Sequence, residues 1–222
     1  MDYYVDSQNS TIDYSFVKVP AVSAQLISDN REMMRFRYGT RYHEINFKEF
    51  CRYAHLQSEM LLNYYYDIVN QSDMKSILTH IRKYNSTAFG LEKATSLASI
   101  SYSVKLWAFN KEHKIDYILF ENIRKVRNEL SHRSIEEEQI EIRTYQNYLT
   151  GLGFKLNPSG EPRINWKKEG ADNDLYNSKI KNSEEYKRYI FIVWCHSMPY
   201  DSIIDGLKTL SNIVSSSIKR YT

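Results

Sequence analysis

The chain has 222 residues, 42% hydrophobic and 26% charged, with 30 Lys and Arg against 27 Asp and Glu and a formal net charge of +3. This is the composition of an ordinary globular protein that can bury one sizeable core, and so near a charge balance excludes a uniformly basic nucleic-acid coat, so that any contact to nucleic acid must be local. Cys51 and Cys195 lie far apart without a CxxC pair, as expected of a reducing cytoplasm and not of a structural zinc site, and neither a leader pattern at Met1-Asp2-Tyr3-Tyr4 nor an apolar run of about 18 residues points to export or a membrane span.

Seven glycines and four prolines in the whole chain favour long helices over a sandwich of short strands. In chain order, Tyr14–Val19 and Arg35–His43 are rich in aromatic and β-branched residues. The second, broken at Gly39, predicts a hairpin, so residues 1–46 are expected to form a small N-terminal β extension. From Phe47 the period changes: Leu56, Met60, Tyr64 and Ile68 recur every four residues and predict a helix over about 47–70. Ser86 or Thr87 is placed to cap a further helix to about residue 111, in which Leu97, Ile100, Val104 and Trp107 follow helical spacing.

The clearest pattern runs from about Asp116 to His132, where Leu119, Ile123, Val126 and Leu130 form one apolar stripe. After the acidic run Glu136-Glu137-Glu138, residues 139–149 continue as helix. Residues 150–182, crowded with Gly151, Gly153, Pro158, Gly160, Pro162 and Gly170, read as an insertion of loops with a short hairpin. The last segment, from Ser183 to Tyr221, returns to helix and is bent or broken at Pro199. The expectation is a mainly α single domain, with a helical core of residues 47–149 and 183–222.

Chemistry is concentrated in Arg127-Asn128-Glu129-Leu130-Ser131-His132. At about 100° per residue, Asn128 lies roughly 170° from the apolar stripe and His132 about 40° beyond it, so both leave the core and stand one turn apart. The Asn128 amide is then placed to set the tautomer of His132. Arg127 lies about 140° from His132 around a straight helix, so pairing the two requires a distorted helix end or a second chain. A polar face ending in Ser-His-Arg is equally what a solvated C-terminal turn looks like, because cations there favour the helix macrodipole.

Other groupings are weaker. His55 and Glu59, one turn apart, read as a surface or interface pair, since no HExxH, metal-spaced carboxylates or glycine-rich phosphate loop accompanies them. Cys195 and His196 are sequence neighbours that face different ways on a helix, so a buried cysteine is expected there. Of Tyr64-Tyr65-Tyr66 at least one must enter the core.

Arg127-Asn128-x-x-x-His132, near the end of a late helix in a small helical protein, resembles the R-x4-6-H motif of the HEPN (higher eukaryotes and prokaryotes nucleotide-binding) superfamily, which includes many ribonucleases of toxin–antitoxin, abortive-infection and CRISPR systems. The resemblance covers roughly residues 47–149 and the terminal helix, and implies a HEPN-like antiparallel helical bundle. It implies a homodimer whose two motif helices meet around one cleft, with RNA as substrate and an antitoxin or other defence-system component as a further partner.

In that arrangement His132 acts as general base or acid at the ribose 2′-hydroxyl and the leaving oxygen, Arg127 stabilises the phosphorane, and Asn128 orients the site. Attack by the RNA's own 2′-hydroxyl leaves a 2′,3′-cyclic phosphate and needs no metal or cofactor. Arg124, Lys125 and Arg133 are the expected phosphate contacts. One departure stands out: members paired with a nucleotidyltransferase antitoxin often carry Tyr two residues after the motif His, where AMP is attached, and here that position is Ser134. The alternative expectations are a non-catalytic HEPN-like module that binds RNA, a nucleotide or a protein, and a purely structural helical subunit.

Overall fold

A computed structural model describes residues 12–38, 43–88, 90–130, 133–163 and 174–221. Among these the chain is mainly α-helical and contains no β-strand; an isolated antiparallel bridge joins Leu156 to Pro162. The principal helices are α1 (Pro20–Tyr38), α2 (His43–Val69), α3 (Met74–Tyr84), α4 (Tyr102–His113), α5 (Tyr117–Lys125), α6 (Ile135–Gly151), α7 (Glu184–His196) and α8 (Tyr200–Ile218). The chain divides into two compact units, one running to Asn128 and resuming at Tyr200, the other spanning Glu129–Pro199.

In the first unit α2 is the central element, packed against α1, α4, α5 and α8. The reason lies in its side chains: Phe47, Phe50, Cys51, Ala54, Leu61, Leu62, Tyr64, Tyr65 and Tyr66 are all buried, and a helix apolar on so many sides is stable only when neighbours cover it. The predicted stripe is therefore too narrow a view, because of Leu56, Met60, Tyr64 and Ile68 only Tyr64 is fully buried. The Tyr200 ring at the start of α8 meets Phe47 and Phe50 edge-on at 5.2 and 4.8 Å, and Arg37 of α1 lies 4.6 Å over the face of the same tyrosine.

The expected N-terminal hairpin is not formed. Arg35–Tyr38 is the last turn of α1, and Gly39–Tyr42 lies outside the described residues. The aromatic residues that raise β-propensity serve tertiary packing instead, Phe36 stacking on Tyr53 of α2 at 5.9 Å. Upstream, Leu26, Asp29, Asn30 and Met33 are buried at helical spacing and carry the helix through this segment. Tyr14–Val19 is likewise no strand: Val17 N donates to Tyr14 O at 3.0 Å in a turn that buries Ile12, Tyr14 and Val17, and Tyr14 Oη donates to Gln57 Oε1 at 2.7 Å.

The helix expected from residue 86 begins only at Tyr102, capped by Ser101. Before it lie two short 3-10 turns, Leu91–Lys93 and Leu97–Ser99, in which Ser99 Oγ accepts from Thr95 N and Ser96 N. Side-chain bonds to local backbone compete with the helical ladder, which explains the delayed start. In the motif segment, Leu119, Ile123, Val126 and Leu130 are all buried, as their spacing predicts.

In the second unit Leu149, Phe154, Ile180, Tyr186 and Tyr189 form the core, with Tyr145 stacked on Tyr189 at 4.9 Å. Tyr189 Oη donates to Gly160 O at 2.7 Å, so the loop after α6 is pinned to α7. Gly160 has φ +85°, and a Cβ there would stand 2.5 Å from that hydroxyl, so only glycine fits. This loop and the helical turn Tyr176–Ile180 belong to the predicted 150–182 insertion, whose residues 164–173 lie outside the described residues. The break at Pro199 falls where expected, between α7 and α8. Among the described residues no helix is long and apolar enough to cross a membrane.

Candidate functional site

The motif segment departs from α-helical geometry. After Lys125 the backbone widens into a π turn over Val126–Leu130, so Arg127 and Asn128 sit on an i→i+5 ladder. The angle of about 140° between residues five apart belongs to a straight α-helix, and it narrows where more residues fill each turn. Ser131 and His132 lie outside the described residues. Asn128 is exposed within the turn.

Arg127 Nη1 stands 3.1 Å from His55 Nε2 on α2. A guanidinium can only donate, so Nε2 is the acceptor and the imidazole carries its proton on Nδ1. That Nδ1 is buried with no hydrogen-bond partner among the described residues, and the side chain is 1% exposed. Burial first, then the positive charges of Arg127, Arg124 and Lys105, hold the His55 pKa down at about 4. His55 is therefore a neutral acceptor at physiological pH, and it fixes the direction of Arg127. The expectation of a surface or interface histidine is corrected: the α2 face bearing His55 is covered by α4 and α5.

The surroundings of His55 are polar and tightly held. The Tyr102 ring meets it edge-on at 4.4 Å, and Tyr102 Oη shares a 2.9 Å hydrogen bond with Ser58 Oγ. Glu59 Oε2 is 3.8 Å from His55 Nε2, while Glu59 Oε1 is 3.9 Å from Lys105 Nζ. Lys105 is fully buried and donates to Asn63 Oδ1 at 2.7 Å and Leu97 O at 3.1 Å. Burial lowers its pKa, with Glu59 opposing. On α5, Arg124 binds Glu121 Oε2 through Nε at 2.9 Å and Nη2 at 2.8 Å, and Glu121 Oε1, like His55 Nδ1, is a buried polar atom without a hydrogen-bond partner among the described residues.

The first unit thus gathers Arg124 and Arg127 around His55, while Lys125 ends α5 partly buried. Arg133 belongs to the second unit, where it binds Glu141 at 2.7 Å; Arg188 binds the same carboxylate and lies 3.7 Å from Glu129. Glu138 of the acidic run is buried against His196 at 3.0 Å, so this run is not simply a solvated face that offsets the nearby cations. Cys195 is buried and His196 is engaged by Glu138. Ser134 caps α6 in a reciprocal box, accepting from Glu137 N at 3.2 Å while Glu137 Oε2 accepts from Ser134 N at 2.9 Å.

Sequence reasoning missed the His55–Arg127 pair and the roles of Lys105 and Glu121. The pair spans 72 positions, and only the occurrence of His55 among the buried residues of α2 gave any signal. No group of three His, Cys, Asp or Glu among the described residues is placed to hold a metal ion. Compared with protein families, curated proteins and solved structures, the chain matches none.

Proposed function

We propose that the chain is a metal-independent endoribonuclease of HEPN type, acting as a homodimer in a toxin or antiviral-defence role. The observation that carries the reading is the π turn over Val126–Leu130, which interrupts the helix at the motif and holds Arg127 against a neutral buried acceptor. Such turns inside α-helices are frequent at functional sites, and a pre-oriented guanidinium is what phosphorane stabilisation requires. His132 then moves the proton of the ribose 2′-hydroxyl and supplies one to the leaving oxygen, with Asn128 setting its orientation. The products are a 2′,3′-cyclic phosphate and a 5′-hydroxyl, and DNA, lacking the 2′-hydroxyl, is left intact. Arg124, Lys125 and Arg133 hold flanking phosphates.

A second reading has its own support. Arg127 bonded inward to His55 and Arg124 bound to Glu121 also suit a non-catalytic HEPN-like module that binds RNA, a nucleotide or a protein. Labelled RNA incubated with the protein in EDTA separates the two. Cleavage should fall by roughly 10²–10⁴-fold in His132→Ala and in Arg127→Ala with the fold intact, and the product ends should carry cyclic phosphate. Equal cleavage by wild type and His132→Ala sinks the assignment. Absence of cleavage, with RNA affinity lost in the variants, selects the binding module. A strict monomer in sedimentation at micromolar concentration removes the shared cleft.

A further inference from the structure

A second constellation in the first unit lies where the C-terminal ends of α2, α4 and α8 meet α3. They border a cleft of about 950 Å³, within the range of roughly 300–1,000 Å³ typical of small-molecule sites. From α3, Lys75, Ser76, Thr79, His80 and Lys83 line it as one stripe, because they recur at helical spacing on the side away from the buried Ile77 and Ile81. Arg220 faces the same space from the turn after α8, and Glu112 and His113 from the end of α4.

The floor of the cleft is a continuous chain of hydrogen bonds from Asn70 to His113. Asn70 Nδ2 donates to His80 Nδ1 at 3.2 Å, so the ring proton sits on Nε2 and is donated to Glu112 Oε2 at 2.9 Å. Tyr65 Oη donates to the same oxygen at 2.9 Å and accepts from His113 Nε2 at 3.1 Å. This engagement argues against a metal triad of His80, Glu112 and His113: both nitrogens of His80 and Nε2 of His113 are in use. It also engages the carboxylate of Glu112 with donors from within the protein. Asp73, the next carboxylate, is turned to the start of α3, where it accepts from Ser76 N at 2.9 Å and Ser76 Oγ at 2.7 Å.

What remains facing outward is cationic. Lys75, Lys83 and Arg220 are exposed, on two elements that border one concave surface, above a floor whose acid is already hydrogen-bonded. Two lysines and an arginine lining one small cleft match the oxygens of a phosphate or diphosphate group, with Lys83 Nζ resting 4.9 Å over the Tyr84 ring and able to turn from it to a bound anion.

We infer that this cleft binds a small phosphorylated molecule, its phosphate held between Lys75, Lys83 and Arg220 and its remainder lying over Tyr65 and Val69. The volume favours a small ligand over a polymer, which would need a groove running across the surface. Neither Arg127 nor His55 lines the cleft, so this inference stands or falls separately from the ribonuclease reading.

The test is calorimetric titration of the full chain with pyrophosphate at low salt, alongside NMR of the histidine ring signals. Pyrophosphate should bind, shift the His80 and His113 resonances, and bind at least tenfold more weakly to the Lys83→Glu/Arg220→Glu variant. Lys111→Glu, a charge reversal on a lysine placed over Trp107 of α4 and away from the cleft lining, should bind as wild type does. Raising the salt concentration should weaken binding, since the cations are exposed. No heat and no ring shift at millimolar pyrophosphate overturns the inference, as does equal affinity in the double variant. Binding of a single-stranded RNA oligomer at this cleft without binding of pyrophosphate overturns it in favour of a polymer site.

Discussion

His55 and His80 are both largely buried in the first unit and both pack against tyrosine rings, His55 against Tyr102 at 4.4 Å and His80 against Tyr66 at 5.4 Å and Tyr65 at 5.9 Å. Their nearest charged neighbours differ in sign. His55 meets Arg127, with Arg124 and Lys105 close by, and one of its nitrogens has no partner; His80 meets the carboxylate of Glu112 and uses both nitrogens. Burial with cations leaves an uncharged imidazole whose one useful atom is a lone pair directed at a guanidinium. Burial with a carboxylate makes the ring a hydrogen-bond donor to an acid and leaves the surrounding cations to face outward. The same residue type thus orients a cation in one place and clears a cationic surface in the other.

The largest effect expected on this contrast comes from Lys105, the buried cation of the His55 side. Lys105→Ala removes the donor to Asn63 Oδ1 and Leu97 O, and should destabilise the fold by about 3–5 kcal/mol in urea melts. A loss below about 1 kcal/mol would mean that the amine contributes nothing to holding this site.

Next comes the acid response of His55. Its folded pKa of about 4 lies below the ordinary histidine value of 6.5, so above neutrality both folded and unfolded rings are neutral and nothing is lost. As the pH falls through the window from about 6.5 to about 4, the unfolded chain takes up the proton first, and stability should drop by up to about 3 kcal/mol. His55→Phe keeps a ring against Tyr102 and should flatten that part of the curve. An unchanged slope between wild type and variant would break the assignment of His55 as the neutral member of the comparison.

On the His80 side the hydroxyl of Tyr65 joins Glu112 to His113. Tyr65→Phe should cost about 1.5–3 kcal/mol, the usual scale for a hydrogen bond to a charged group, and should move the His113 ring signals while leaving the acid response of His55 intact. The smallest effect serves as a control outside both clusters. Ser134→Ala opens the capping box of α6 and should lower stability by about 1 kcal/mol, with both histidine signatures unchanged.

These contacts also mark where sequence reasoning stops. The burial of Leu119, Ile123, Val126 and Leu130 was legible because one stripe repeats over three turns. The central helix α2 was legible in extent but not in depth of burial, since Gln57, Ser58 and His55 are as buried as its leucines. Helix α3 escaped notice because only Ile77 and Ile81 anchor it, too few for a period. The hairpin at 35–43 was a reading of local propensity around Gly39 that packing of Phe36 on Tyr53 overrides. At the candidate site, Arg127 and Asn128 stood out by type and order, whereas the π turn has no sequence period of its own and the acceptor for Arg127 lies on another helix.

The division of the chain has a consequence for its biosynthesis. The first unit is discontinuous: it runs to Asn128 and resumes only at Tyr200, and Tyr200 is the residue that covers Phe47 and Phe50. On a ribosome the intervening roughly 70 residues emerge first, which at about 5–20 residues per second takes on the order of 4–14 seconds. Throughout that interval two phenylalanines of the nascent central helix lack their native cover. This is the stage of synthesis at which the chain has greatest need of a chaperone, and at which a stalled ribosome would hold it least protected from aggregation.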